Sequence, residues 1–194
     1  MSWEFALPNA LAHEIDAAAP PMDNDAFTGF YERSARPLWA YLSRVSGDGA
    51  LAEDLMQESY VRFLCAERAP SLAIDGEVAA RLYLFRIATN LLRDHWRRPR
   101  PSSLDEVSVE FFSTQSTAPQ TESRAVLGPA LKQMKPRERQ LLWLAHAEGY
   151  SHREIAEITG LAAASIRLLL FRARRKIAKL LREQDARAVR VQPC

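Results

Sequence analysis

The stretch Ser151–Arg175, SHREIAEITGLAAASIRLLLFRARR, limits what this chain can fold into more than any other. Ser151 followed by Glu154 is a capping box, in which each residue can satisfy the other's free backbone N–H, and it stands just ahead of an apolar run. Ile155, Ala156, Ile158 and Thr159 give the helix an apolar face, and Gly160 supplies a residue that tolerates positive φ where the helix must stop. Leu161 tucks under the turn, and a second helix begins near Ala163 or Ala164. On that helix Ile166, Leu170, Ala173 and Ile177 follow the helical period and predict a buried stripe. Arg167, Arg172, Arg174 and Arg175 fall outside it, where phosphates or base edges can meet them. The whole is the layout of a helix-turn-helix; an ordinary helical hairpin with a solvated basic face explains its parts but not their coincidence.

Charge is divided along the chain in the same sense. Residues 125–182 carry twelve Lys/Arg against four Asp/Glu, a net +8, which leaves −6 on the remaining residues of a chain that totals +2. Such asymmetry implies a polyanion partner for one segment and a different kind of partner for the rest. At 194 residues and 47% apolar content the chain can build packed cores, and its apolar residues recur at helical spacing nearly throughout. The expected fold is all-α: two small helical domains joined by a flexible Pro/Ser-rich linker, the second holding the helix-turn-helix. The N-terminus lacks a basic region followed by a long apolar run, and no segment approaches a membrane span, so a cytoplasmic protein without membrane insertion is expected. Cys65 and Cys194 stand in no metal-ligand spacing, and Cys65 reads as a small core residue on an apolar helix face. The four His lie in no nucleophile or metal pattern and the seven Gly form no phosphate-cradling loop, so neither an enzyme nor a cofactor or metal site is expected.

Along the chain, residues 1–22 form an acidic leader, 23–98 a helical domain, 99–123 a linker rich in Ser, Thr and Pro, 124–183 a second helical domain, and 184–194 a frayed tail. Within the first domain, ALAEDLMQESYVRFLCA (residues 50–66) places Ala52, Leu55, Met56, Ser59, Tyr60, Phe63 and Leu64 on one helix face. Asp54, Gln57 and Glu58 form a compact acidic patch on the other, with Glu53 and Arg62 nearby. Next, RLYLFRIATNLLRDHWRR (residues 81–98) turns Leu84, Ile87, Ala88 and Leu91 inward and lines up Arg86, Asn90, Arg93 and Arg97. Phe85, Leu92 and Trp96 make a further apolar line that the core stripe does not explain. Basic and amide groups beside aromatics suit single-stranded nucleic acid, whose bases stack while its backbone is neutralised; packing of the aromatics on the helix with Tyr31, Leu38 and Trp39 is the alternative.

Taken in order, these segments resemble the bacterial sigma factors of RNA polymerase, of the compact extracytoplasmic-function type. AEDLMQESYVRFL is similar to that family's core-binding helix, LYLFRIATNLLRDHWRR to its promoter-melting and minus-ten segment, and LKQMKPRERQLLWLAHAEGYSHREIAEITGLAAASIRLLLFRARRKI to its minus-thirty-five domain. The resemblance implies that Asp54, Leu55, Gln57 and Glu58 dock on core polymerase. It implies that Tyr83, Arg86, Asn90, Arg93, Trp96 and Arg97 face minus-ten DNA, with the loop 70–80 capturing a flipped base, and that Ser165, Arg167, Leu168, Phe171, Arg172 and Arg175 present the recognition helix to duplex DNA. The partners implied are core RNA polymerase, promoter DNA and an anti-sigma factor.

The sequence also departs from the family. Ala80 and Tyr83 stand where an aromatic pair is common, and Leu168, Leu169 and Phe171 where polar or basic residues are usual. Apolar side chains can touch thymine methyls but cannot make the bidentate pairs that separate G from A. A sigma-like decoy that binds an anti-sigma factor without productive DNA binding, and a regulator built on the helix-turn-helix alone, are therefore the competing readings.

Overall fold

The computed structural model describes residues 24–67, 69–98 and 121–191. The expected leader at 1–22 and nearly all of the expected linker lie outside the described residues. The described chain is helical with no strand, in the order α1 (Asn24–Ser46), α2 (Gly49–Leu64), α3 (Gly76–Arg97), α4 (Thr121–Lys132), α5 (Pro136–His146), α6 (His152–Thr159) and α7 (Ala163–Val191). The all-α expectation holds.

Local chemistry sets the helix ends. Gly47, at φ +81°, turns the chain out of α1, and the Asp48 carboxylate then caps α2 by accepting from the N–H groups of Ala50 (2.9 Å) and Leu51 (3.1 Å). The Ser151–Glu154 box forms as the sequence predicts: the Glu154 carboxylate accepts from Ser151 N–H at 2.7 Å, and Ser151 Oγ accepts from Glu154 N–H at 3.3 Å. Gly160 closes α6 in the left-handed region at φ +67°.

Five boundaries or positions differ from expectation. α7 continues through Val191 instead of fraying after residue 183, in keeping with the helix-favouring Gln, Ala and Arg that make up most of that stretch. α4 begins at Thr121, inside the expected linker, and α3 begins at Gly76, inside the expected loop 70–80. Cys65 is exposed, since it is the residue that ends α2, its N–H donating to Val61 C=O. Leu64, on the last turn where the chain leaves the helix, is 51% exposed.

The core of α1–α3 is aromatic. Phe30 stacks on Phe63 with ring centroids 5.4 Å apart, and Tyr41 lies 5.3 Å from Phe85, all four rings being fully buried. Its polar atoms are paired: Tyr60 Oη meets Ser34 Oγ at 2.7 Å, and Tyr41 Oη meets Thr89 Oγ1 at 2.7 Å. Leu141, Leu144, Ile155, Ile158, Ile166 and Leu170, from the second helical block, belong to the same continuous apolar cluster. α5 lies against α1, and α6 lies along α3. A smaller cluster of Met134, Leu142 and Ala173 packs α4 and α5 on α7. No described helix is long and apolar enough to cross a membrane.

Candidate nucleic-acid interface

Each group of candidate residues sits on one helix. On α2, Asp54, Gln57 and Glu58 are exposed and Leu55 is buried beneath them. The patch carries its own counter-ion, for Arg62 Nε reaches Glu58 Oε1 at 2.7 Å, an i,i+4 pair open to solvent. Such a pair contributes at most about 1 kcal/mol and yields readily to a stronger partner.

On α3, Arg86, Arg93 and Arg97 are exposed and Asn90 is half-buried. Arg93 Nη2 donates to Asn90 Oδ1 at 2.6 Å, and the Arg86 guanidinium lies 5.0 Å from the ring centroid of Tyr83. These contacts hold the stripe in a defined array before any ligand arrives. Trp96 is 40% exposed, which removes it from the core and leaves its ring available for stacking. Phe85 and Leu92, which the sequence placed on the same line, are fully buried, because α3 is covered by α6 as well as by α2 and α1.

On α7 the helical period works as expected. Ile166, Leu170 and Ala173 are buried and Ile177 is half-buried, while Ser165, Arg167, Leu168, Phe171, Arg172 and Arg175 are all exposed. Leu168 is 50% and Phe171 55% exposed, and Arg175 lies 5.8 Å from the Phe171 centroid. Two cations of this helix reach side chains of α5: Arg174 Nε donates to His146 Nε2 at 3.1 Å, and Lys176 Nζ reaches Glu138 Oε2 at 2.6 Å. Burial pushes the Glu138 carboxyl up, but the Lys176 ammonium and the Lys135 N–H outweigh it and hold it below the usual carboxylate range. The Lys176 pair thereby fixes the start of α5 against the recognition helix.

The structure also brings together residues that carry no role in the sequence pattern. Tyr41 Oη accepts from Gln140 Nε2 at 2.6 Å, and Arg139 Nη2 donates to the Val45 carbonyl at 2.8 Å. Arg81 and Glu148 form an ion pair at 2.5 Å, with the Glu148 side chain only 4% exposed and also accepting from Trp143 Nε1 at 2.9 Å. Tyr150 meets the Phe85 ring edge-on at 5.6 Å. Burial raises the Tyr41 phenol to about 12, against the lowering effect of its bonds to Thr89 and Gln140. Only the unexplained apolar line through Phe85 and Leu92 hinted at this contact. Among the described residues no group of three or more His, Cys, Asp or Glu is arranged to hold a metal ion.

Comparison with known proteins matches the two halves separately. The family model for sigma-70 region 2 covers residues 30–101, and that for sigma-70 region 4 covers residues 125–177. The ECF RNA polymerase sigma factor SigL of Mycobacterium tuberculosis is 30% identical over 157 residues, spanning 79% of this chain and 87% of that protein. RNA polymerase sigma factor CarQ of Myxococcus xanthus is 29% identical over 171 residues, spanning 86% of this chain and 95% of CarQ. The fold is similar to that of the sigma factor RpoE of Bartonella quintana, solved in complex with the anti-sigma factor NepR, with a TM-score of 0.55, 20% identity, and coverage of 80% of this chain and 96% of that one.

Proposed function

The chain belongs to the extracytoplasmic-function branch of the sigma-70 family, and on that premise we propose how this alternative sigma factor divides its work among its helices. The α2 patch of Asp54, Gln57 and Glu58, backed by Leu55, docks on a basic surface of core RNA polymerase. Tyr83, Arg86, Asn90, Arg93, Trp96 and Arg97 on α3 take the melted minus-ten strand, the cations meeting phosphates and Trp96 a base face. Ser165, Arg167, Arg172 and Arg175 on α7 position the helix in the major groove of the minus-thirty-five element, where Leu168 and Phe171 meet thymine methyls. The protein acts in the cytoplasm, where polymerase and promoter are, by binding and without covalent chemistry of its own.

The observation that carries this reading is the occurrence, in order and in one chain, of the region 2 and region 4 matches on helices whose exposed faces are acidic on α2 and basic on α7. Its test is transcription in vitro with core polymerase, this chain and a genomic promoter library; a defined set of transcripts that depends on the chain is the expected result. A second reading is favoured by the exposed Leu168 and Phe171, which suit a protein partner such as an anti-sigma factor as well as they suit DNA. Tight binding to core polymerase with no transcript from any promoter would select that reading, a sigma-like decoy, over the first.

A further inference from the structure

The outward face of α7 does not stop where the helix-turn-helix does. The region 4 match ends at residue 177, whereas α7 runs on to Val191. We propose that Lys179 and Arg182, in line with Arg172 and Arg175, form a cationic stripe that takes the phosphate backbone of duplex DNA beside the minus-thirty-five element. The inference rests on the functional reading above and lengthens its DNA contact.

The four cations recur at steps of three, four and three residues, which sets them on one side of the helix. All four are exposed, opposite the half-buried Ile177 and Leu180. Ala178, small and exposed between them, leaves a shallow groove flanked by Phe171, Arg175, Lys179 and Arg182. From Arg172 to Arg182 the helix rises about 15 Å, a length that holds about four phosphates of one DNA strand. The inner face braces the stripe: Ile177 and Leu180, with Leu131 of α4, pack on the cluster of Met134, Leu142 and Ala173. The extension is thus anchored at least as far as Leu180.

Two observations say what meets the stripe. From Ile158 through Arg182 the chain holds seven Lys/Arg and no Asp or Glu. A helix face kept for solubility mixes signs and forms i,i+4 pairs. Here Lys179 pairs only loosely, at 3.8 Å, with Glu183 beyond the run, and Arg182 Nε donates to the Ala178 carbonyl at 3.1 Å. Both cations stay open to solvent. The second observation is that Leu168 and Phe171 stand at the outward pole of the reading turns, where they offer neither donor nor acceptor to a base edge. Affinity that base edges do not supply comes from the backbone, where each neutralised phosphate releases counterions. The stripe continues the line of Leu168 and Phe171, so a duplex that meets one meets the other.

The test uses the full chain, alone and as holoenzyme, with Lys179→Gln plus Arg182→Gln; Lys179→Arg plus Arg182→Lys is the charge-preserving control. The probes are a duplex promoter fragment from the transcription screen and the same fragment with the base pairs flanking the element replaced. Affinity is measured from roughly 50 to 200 mM salt. The plot of log affinity against log salt should be shallower by about two for the glutamine variant, so wild type loses about tenfold more affinity over that range. The loss should be equal on both fragments, and hydroxyl-radical protection of the backbone beside the element should shorten. The control should keep the wild-type slope, and melting temperature and affinity for core polymerase should not change. A wild-type slope and footprint in the glutamine variant would overturn the stripe. So would a loss that depends on the flanking bases, or one that appears as weaker binding to core polymerase. If wild type directs no transcript with polymerase, the functional reading falls, and the salt slope on duplex alone still decides the stripe.

Discussion

The two halves of the molecule are stabilised differently. Residues 24–98 enclose four fully buried rings, Phe30, Tyr41, Phe63 and Phe85, with the hydroxyls of Tyr41 and Tyr60 paired inside. Among the described side chains of residues 121–191 no aromatic is buried: Trp143 and Tyr150 are half-buried and Phe171 is outside. α5 and α6 complete their burial against α1 and α3, so the second half draws on the first for its core while supplying most of the positive charge. A surface given over to polyanion binding has fewer residues left for burial, and the packing between the halves makes up the difference.

The sharpest way to break this comparison is Phe63→Ala. Truncating a fully buried phenylalanine costs about 3–5 kcal/mol, read as a large drop in melting temperature. Because the apolar cluster is continuous, hydrogen-exchange protection should fall in α5 and α6 as well as in α1–α3. Unchanged protection in the second half would mean that the halves fold independently.

Next in size is Asp54→Arg with Glu58→Arg. Binding to core polymerase should fall a hundredfold or more, whereas stability changes by at most about 1 kcal/mol, since both groups are exposed and Glu58 loses only its surface pair with Arg62. Co-elution of this variant with polymerase at wild-type affinity would sink the docking role of α2. Trp96→Ala follows. A stacked base is worth about 1–3 kcal/mol, so promoter opening should fall roughly ten- to a hundredfold, measured by permanganate footprinting. At 40% exposure the loss of stability should be well short of that of a buried ring; a fall in melting temperature as large as that of Phe63→Ala would return Trp96 to the core.

How much of this was readable in the sequence depended on whether the signal was local. The Ser151–Glu154 box, the Gly160 turn and the buried period through Ile166, Leu170 and Ala173 are set by residues within one or two turns of each other, and all three appear as read. The acidic face of α2 and the polar stripe of α3 were legible for the same reason. The contact between the halves was not: Arg81 and Glu148, or Tyr41 and Gln140, meet across long stretches of chain, and no local pattern pairs them. Its one trace was the surplus apolar line through Phe85 and Leu92, which one core stripe could not use and a second packing partner explains. Cys65 was misplaced because helical periodicity was carried one residue past the point where α2 ends.

Smaller effects test the helix-turn-helix itself. Gly160→Ala forces a side chain into φ +67° and should cost about 1–2 kcal/mol, seen as a lower melting temperature and weaker duplex binding, with polymerase affinity unchanged. An unchanged melting temperature would mean that α6 can end in another geometry.

The smallest effect concerns acid. The hydrogen bond with the Ser151 hydroxyl, then that with the Ser151 N–H, holds the Glu154 carboxyl below the usual carboxylate range. A group whose folded pKa is depressed adds stability above its unfolded value, near 4.3, and loses it as the pH falls through the lower folded value. The start of α6 should therefore be at full strength at neutral pH and fray as the pH drops below about 4.3. Glu77, lowered by its hydrogen bond from Arg33, and Glu138 shift in the same direction, so global melting alone cannot isolate Glu154. Glu154→Gln can, because the amide still accepts the Ser151 N–H but does not titrate. At pH 7 the variant should lose only a few tenths of a kcal/mol, a fraction of a full helix cap. Between pH 5 and pH 3 (roughly the carboxylate range) amide exchange at the start of α6 should quicken in wild type and stay flat in the variant, apart from the intrinsic change with pH. Equal acid response in the two proteins would show that the box contributes geometry alone, and that the pH dependence of this half comes from Glu138 on α5.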